Sequence, residues 1–216
     1  MKIAIIIPDR NDRPQFLQNC LRMIGMQIKQ PSQIILVNHP PISPEFDLLE
    51  RIKKGYEQVS NYIDVVAIIE NDDWYSKHYL KFMADNYHSF GCPDIFGVDY
   101  TYYYHLRSNG VTKLLHKNRA SLFNTLIKPG LNIKWNEIKN PFVDIFLWRQ
   151  LKGITLSPER PLSIGIKHGI GLCGGRAHRS NFIYQETNSN FLRQYLDSQS
   201  LKFYENIYCN RSVATT

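Results

Sequence analysis

Three acids crowd one short stretch, Glu70-Asn71-Asp72-Asp73, directly after the apolar run Val65 to Ile69. Carboxylates this close repel one another, and a divalent cation is a common physical relief. In extended backbone Glu70 and Asp72 point to the same side, so both would reach one ion. Mn²⁺ or Mg²⁺ accepts such hard oxygen ligands while keeping positions for phosphate oxygens and water. An ion held there would act as a Lewis acid and neutralise a leaving diphosphate. The competing reading is structural: Asn71-Asp72-Asp73 caps a helix beginning near Trp74 or Ser76, since short acids satisfy first-turn amides. Both roles can fall to different acids of the cluster.

Other residues carry weaker chemistry of their own. Asp144 opens a helical pattern that starts near Pro141, where an acid stabilises exposed amides. His168 lies in a stretch with Gly165, Gly169, Gly171, Gly174 and Gly175; a neutral imidazole binds metal and a protonated one binds phosphate. Lys167, Arg176, His178 and Arg179 would form a basic wall around a diphosphate, and the glycines would allow close approach or a closing lid. Tyr102 and Tyr104, in the run Tyr100 to His105, offer aromatic faces that suit sugars and bases, against the alternative of a strand packed in a sheet. Trp74 and Trp148 are further acceptor-side candidates, Trp148 having the spacing of a helix core residue as well.

These groups need a scaffold, and the apolar pattern supplies one. Ile3 to Ile7 predicts a fully buried strand, Pro14 to Met26 a helix, Ile34 to Val37 a second strand, Leu48 to Val59 a second helix and Val65 to Ile69 a third strand. Strands alternating with helices favour a parallel sheet covered on both faces, with ligands at the carboxyl ends of the strands. A helix from about Ser76 to Tyr87 should bury Tyr79, Leu80, Phe82 and Met83. Further on, the pattern predicts a strand over Ile95 to Tyr104, a turn at Gly110, a strand to Leu115, and helices over Ser121 to Ile127, Pro141 to Gly153 and Phe191 to Phe203.

At 216 residues the chain fits one domain, 1–216, with a helical tail from about 181. The apolar fraction of 43% and charged fraction of 21% are ordinary for a globular protein and argue against global disorder. The opening Met1 to Pro8 is too short for a signal peptide or a membrane span. Cys20, Cys92, Cys173 and Cys209 form no CxxC pair. The expected location is therefore a reducing, cytoplasmic one, with peripheral attachment to a membrane left open. A net charge of +7, with six Lys or Arg and no acid between Tyr100 and Asn136, favours a polyanionic partner: a nucleotide diphosphate, nucleic acid or an anionic surface.

The opening Ile3-Ala4-Ile5-Ile6-Ile7-Pro8-Asp9-Arg10-Asn11-Asp12-Arg13-Pro14 resembles that of GT-A glycosyltransferases of the large family 2. Lys54-Gly55-Tyr56-Glu57, followed by the third strand and Glu70 to Tyr75, looks like that family's Gly-containing helix leading into its acidic metal motif. The resemblance covers Lys2 to Leu80 well and Pro141 to Gly171 loosely. It implies an α/β GT-A nucleotide-sugar domain with a mainly parallel central sheet flanked by helices. It also implies an inverting transfer from a nucleotide-diphosphate sugar to an acceptor hydroxyl, on a glycan or lipid-linked precursor. Glu70 and Asp72 would match the ends of the DxD-type motif, Asp73 the adjacent acid, His168 a late metal- or diphosphate-binding histidine and Asp144 the catalytic base. The expected donor-binding set is Pro8, Arg10, Asn11, Asn38, Lys54, Asp72, Lys167 and Arg176. One departure stands out: Val37-Asn38-His39-Pro40-Pro41 occupies the place of the family's paired acids, which weakens assignment to a uridine donor. Alternatives left open are transfer to a modified nucleic-acid base, nucleotidyl transfer to a sugar phosphate, and a non-catalytic nucleotide or nucleic-acid binding module.

Overall fold

A computed structural model describes residues 1–40, 46–138, 142–169 and 186–212, with side chains as far as residue 207. The first half follows the apolar pattern closely. Strand β1 (Ile3–Asp9) is buried along its whole length, as its run of isoleucines demands. Helix α1 (Pro14–Gly25) begins with a proline in its first turn, where the missing N–H costs nothing. Strand β2 (Gln33–Asn38), helix α2 (Asp47–Glu57) and strand β3 (Val65–Ile68) follow. Both β2 and β3 pair with β1 in parallel. Helix α2 lies close on β1 because Gly55 has no side chain: a Cβ there would sit 2.5 Å from Ile6 Cγ2.

Beyond β3 come the short strand β4 (Trp74–Tyr75) and helix α3 (Tyr79–Ser89), which buries Tyr79, Leu80 and Met83, with Phe82 half-buried. The region expected to be one strand over Ile95 to Tyr104 is two, β5 (Ile95–Val98) and β6 (Tyr100–His105), in different sheets. The break is at Asp99. Its N–H bonds Leu156 O at 3.1 Å, its C=O accepts His116 N–H at 2.6 Å, and its carboxylate accepts the Ser157 hydroxyl at 2.6 Å. Strand β7 (Gly110–Leu115) returns antiparallel to β6.

Ser121 to Ile127 is not the helix that its spacing suggests. A 3-10 turn over Leu122–Asn124 runs into strand β8 (Thr125–Ile127), which pairs antiparallel with both β3 and β5. Three residues suited to a strand fill a slot between two others, and long-range pairing overrides local periodicity. Helix α4 (Val143–Gln150), strand β9 (Gly153–Leu156), strand β10 (Ser163–Lys167), strand β11 (Glu186–Thr187) and helix α5 (Ser198–Ser212) complete the elements.

The result is two mixed sheets rather than one mainly parallel sheet. The larger runs β2-β1-β3-β8-β5-β9 and the smaller β11-β7-β6-β10-β4. Insertion of β8 breaks the parallel order of the first, and among the described residues β6 with β10 is the one parallel pair of the second. The helical tail packs into the body: Tyr204 and Leu192 belong to the same core as Ile5, Ile7 and Met23. No helix among the described residues is long and apolar enough to cross a membrane.

Candidate functional site

The carboxyl ends of β1, β3 and β10 meet, and the polar residues just beyond them build the site. Glu70 to Asp73 form a turn, not extended backbone: Asp73 N–H donates to Glu70 O at 3.3 Å. Each member is tethered to a different element. Asn71 Nδ2 donates to Asp9 Oδ1 at 2.6 Å, tying the turn to the end of β1. Glu70 N–H donates to Tyr75 Oη at 2.9 Å, and Asp73 Oδ1 accepts Ile166 N–H of β10 at 2.8 Å. Tyr204 of α5 donates to the Asp72 carbonyl at 3.4 Å.

Through this turn, rather than by strand alternation, the three acids are gathered. One carboxylate oxygen from each of Glu70, Asp72 and Asp73 lies within 4.8 Å of the others. Burial pushes Glu70 up to about 7, with Asp72 and Asp144 adding to the rise against Lys167 and Arg13. Burial likewise raises Asp73, with Asp72 and Glu70 adding to it and Lys167 opposing. Burial also works against ionised Asp72, but the His168 hydrogen bond and the Arg13 guanidinium outweigh it and hold this carboxyl below its ordinary range. Among the described residues the Glu70 carboxylate accepts no hydrogen bond. Three clustered hard oxygens with one carboxylate unpartnered suit Mn²⁺ or Mg²⁺.

Arg13 and His168 flank Asp72. Arg13 Nη1 and His168 Nε2 each lie 3.0 Å from Asp72 Oδ2, and the His168 ring packs on Phe16 at 4.7 Å. His168 thus stands as the partner of Asp72, outside the trio of gathered oxygens. Lys167 Nζ rests over the Tyr103 ring at 4.6 Å, and its charge acts on all three acids. Asp144, in the first turn of α4, pairs with Arg119 at 2.5 Å. Burial raises its carboxyl, while Arg119 and the amides of Ile145 and Asp144 pull it back. Its field reaches Glu70 and Tyr103, so acids and helix start share one electrostatic neighbourhood.

The expected donor set divides. Pro8 is buried in β1 beside Val37, Arg10 pairs with Asp12 at 3.1 Å, and Asn11 takes a left-handed φ of 59° while its N–H donates to Asp9 Oδ2. Asn38 is exposed at the carboxyl end of β2. Lys54 is exposed in the last turn of α2, one turn before Gln58, whose carbonyl is bonded by Gln33 at the start of β2. That is the amino end of the sheet, away from the acids. Arg176, His178 and Arg179, with Gly171, Gly174 and Gly175, lie outside the described residues.

The four aromatic acceptor candidates are packed into the protein. Trp74 is core, Tyr102 packs on Tyr100 and Phe191, and Tyr104 stacks on Phe191 and donates to Asn109 Oδ1 at 2.8 Å. Trp148 lies against Gly97 and Gly153 and donates to Thr125 Oγ1 at 3.2 Å. Tyr103, between Tyr102 and Tyr104, is the one that feels Asp73, Glu70 and Asp144. Its ring rests on Gly165, where a Cβ would come within 2.5 Å.

Three residues were missed by sequence reasoning. Asp9 holds Asn71 and the Asn11 amide; Arg13 holds Asp72. Arg51, 1% exposed, donates to Asp47 through Nε and Nη2, both at 2.8 Å, and to the carbonyls of Asp9, Val37 and His39. It thereby clamps the carboxyl ends of β1 and β2. The only trace of it in the sequence is the i, i+4 spacing of Asp47 and Arg51 on one helix face.

No family model matches the chain, and no curated protein matches it in sequence. Its fold is similar to crystal structures of S. aureus TarS. One aligns at a TM-score of 0.52 and 10% identity, covering 77% of this chain and 37% of TarS. TarS 1-349 aligns at 0.52 and 11% identity, covering 77% of this chain and 61% of that one. TarS 1-349 in complex with UDP-GlcNAc aligns at 0.50 and 13% identity, covering 77% and 58%. The chain therefore matches less than two thirds of the length of these structures, and the likeness is one of fold.

Proposed function

We propose that this chain is an inverting glycosyltransferase that moves a sugar from a nucleoside-diphosphate donor to an acceptor hydroxyl, with Mn²⁺ or Mg²⁺ at Glu70, Asp72 and Asp73. The observation that carries the reading is the gathering of three carboxylate oxygens within 4.8 Å at the ends of β1, β3 and β10. A fold shared with a protein captured in complex with UDP-GlcNAc supports it. The cation would supply charge neutralisation for a departing diphosphate.

The remaining roles fall to side chains. Lys167 and Arg13 add positive charge beside the acids and offset their mutual repulsion. Asp73, bonded to Ile166 N–H, fixes the turn against β10, and His168 and Arg13 fix Asp72. Asp144 takes the proton of the acceptor hydroxyl as that oxygen bonds to the anomeric carbon and the bond to the diphosphate breaks. Burial suits it to this work by raising its carboxyl from the ordinary value. One direct displacement inverts the anomeric centre. A hydroxyl of a glycan or lipid-linked precursor is the acceptor in this reading.

The test is a panel of UDP-, GDP-, CDP- and dTDP-sugars assayed for Mn²⁺-dependent hydrolysis and binding, with Asp72→Asn and Asp144→Asn alongside. Asp144→Asn should bind donor normally and lose turnover by about 10²- to 10⁴-fold. Activity surviving both a chelator and Asp72→Asn would end the metal-assisted reading.

A further inference from the structure

The large sheet ends on an open strand. Strand β2 pairs with β1 on one side, and among the described residues no strand lies on its other side. It is six residues long, against four for β9 at the far edge and two each for β4 and β11 at the edges of the smaller sheet. An edge of this kind offers alternate N–H and C=O groups to any further strand, and proteins ordinarily guard it with a charge, a proline, a bulge or a covering element. Strand β2 reads Gln33-Ile34-Ile35-Leu36-Val37-Asn38, without a charge or a proline. Its register with β1 is unbroken from Gln33 to Asn38, so no bulge twists it away.

The two faces of β2 differ. Ile35 and Val37 are buried with Ala4 and Ile6 beneath α2. Ile34 and Leu36 point to the α1 side, in register with Ile5 and Ile7, yet they are 49% and 39% exposed. They are exposed because α1 leans the other way. Arg22 on one flank of α1 bonds Asp197 and Ser200 at the start of α5, and α5 lies beyond β3, where Tyr204 meets the Asp72 carbonyl. Helical spacing sets Leu21 on the opposite flank, toward β2, and it is 42% exposed. Leu21, Ile34 and Leu36 thus form an apolar shelf beside the unpaired backbone edge.

Two features of the strip say what would cover it. It is uncharged on a chain of net charge +7, so two copies meet there without opposing like charges. It is also self-complementary. Antiparallel pairing centred on Ile35 sets Ile34 of each copy opposite Leu36 of the other and Ser32 opposite Asn38, apolar on apolar and polar on polar. Centring on Leu36 instead would set Ile34 opposite Asn38. Pro31 before the strand and Pro40-Pro41 after it stop the pairing at this length.

We propose that β2 is a homodimer interface, at which two copies of this chain pair antiparallel about a twofold axis, join their six-stranded sheets into one and cover Leu21, Ile34 and Leu36. The twofold contact closes, because each copy's edge is used by the other. A six-residue strand spans about 20 Å, so the contact buries on the order of 1,000 Å² in all, the low end for a specific interface. The dimer is therefore a reversible one, and it does not rest on the glycosyl-transfer reading.

Sedimentation velocity of the full chain between about 1 and 500 µM should show monomer and dimer in exchange, with a dissociation constant of about 10–100 µM. Hydrogen exchange at the Ile34 and Leu36 amides should slow about threefold or more from the low to the high concentration. Ile34→Lys and Leu36→Lys should each raise the dissociation constant about tenfold or more, with melting curves confirming that the variants are folded. Leu115→Lys, at a leucine 77% exposed on β7, should leave it unchanged and so excludes indiscriminate apolar association. A chain that stays monomeric to the highest concentration overturns the proposal and assigns the edge to a different partner or to another segment. A dimer whose β2 amides gain no protection, or that Leu36→Lys leaves intact, overturns it as well.

Discussion

Replacing Glu70 by Gln should stabilise the cation-free protein, and only at neutral to alkaline pH. Burial, with Asp72 and Asp144 adding to it, lifts the Glu70 carboxyl to about 7 against an ordinary 4.5. A folded-state value above the unfolded one means that the native chain holds this proton more tightly. Stability is therefore greatest below about 4.5, falls as pH climbs toward 7, and is fully reduced above it. The shift from 4.5 to about 7 corresponds to about 3 kcal/mol, and water at this partly exposed side chain screens that to about 1–2 kcal/mol. Urea unfolding in chelator at pH 5 and pH 8 measures the difference. The two proteins should unfold together at pH 5, and Glu70→Gln should be the more stable at pH 8. Adding Mn²⁺ at pH 8 should reverse the order, because the native chain then gains ligand binding that the variant has weakened. A difference that does not change with pH, or a variant less stable at pH 8 without metal, refutes the buried Glu70 carboxylate on which the site rests.

Three more outcomes follow from named contacts. Arg51→Met removes the buried ion pair to Asp47 and the donor shared by the carbonyls of Asp9, Val37 and His39, and should cost about 3–5 kcal/mol in urea unfolding. Arg119→Gln removes the cation that favours ionised Asp144, so the acidic limb of the turnover profile should move up by about one pH unit; an unmoved limb would exclude Asp144 as the titrating base. Gly55→Ala sets a methyl 2.5 Å from Ile6 Cγ2 and should lower stability by about 1–3 kcal/mol without altering any side chain of the site.

The sequence disclosed the first half of the fold because its signals are local. Apolar runs buried on both faces, isoleucine in β1 and chiefly valine in β3, announce these strands, and α1 and α2 alternate with them at helical spacing. From Asp99 onward the deciding forces are distant. Nothing near Asp99 says that Leu156, Ser157 and His116 will hold it between two sheets, and Thr125 to Ile127 become a strand only because β3 and β5 leave a place between them. The site divides in the same way. Glu70, Asp72 and Asp73 are legible as neighbours, although a turn gathers them where alternation was expected. Arg13 reaches Asp72 across 59 positions and His168 across 96, distances at which pattern carries no information. A charged Arg51 in a helix suggests solvent until the carbonyls that it satisfies are seen.

The last helix bears on how this protein should be handled. Tyr204 is fully buried against the Asp72 carbonyl, and Phe203 meets Phe16, whose ring also supports His168. Trimming the chain ahead of Ser198 would therefore open a hole beneath the acidic turn and uncover Cys20, so shortened versions prepared for crystallisation or assay should retain α5. Labels intended to leave the chemistry alone belong on the exposed Lys54 side, at the far end of the sheet.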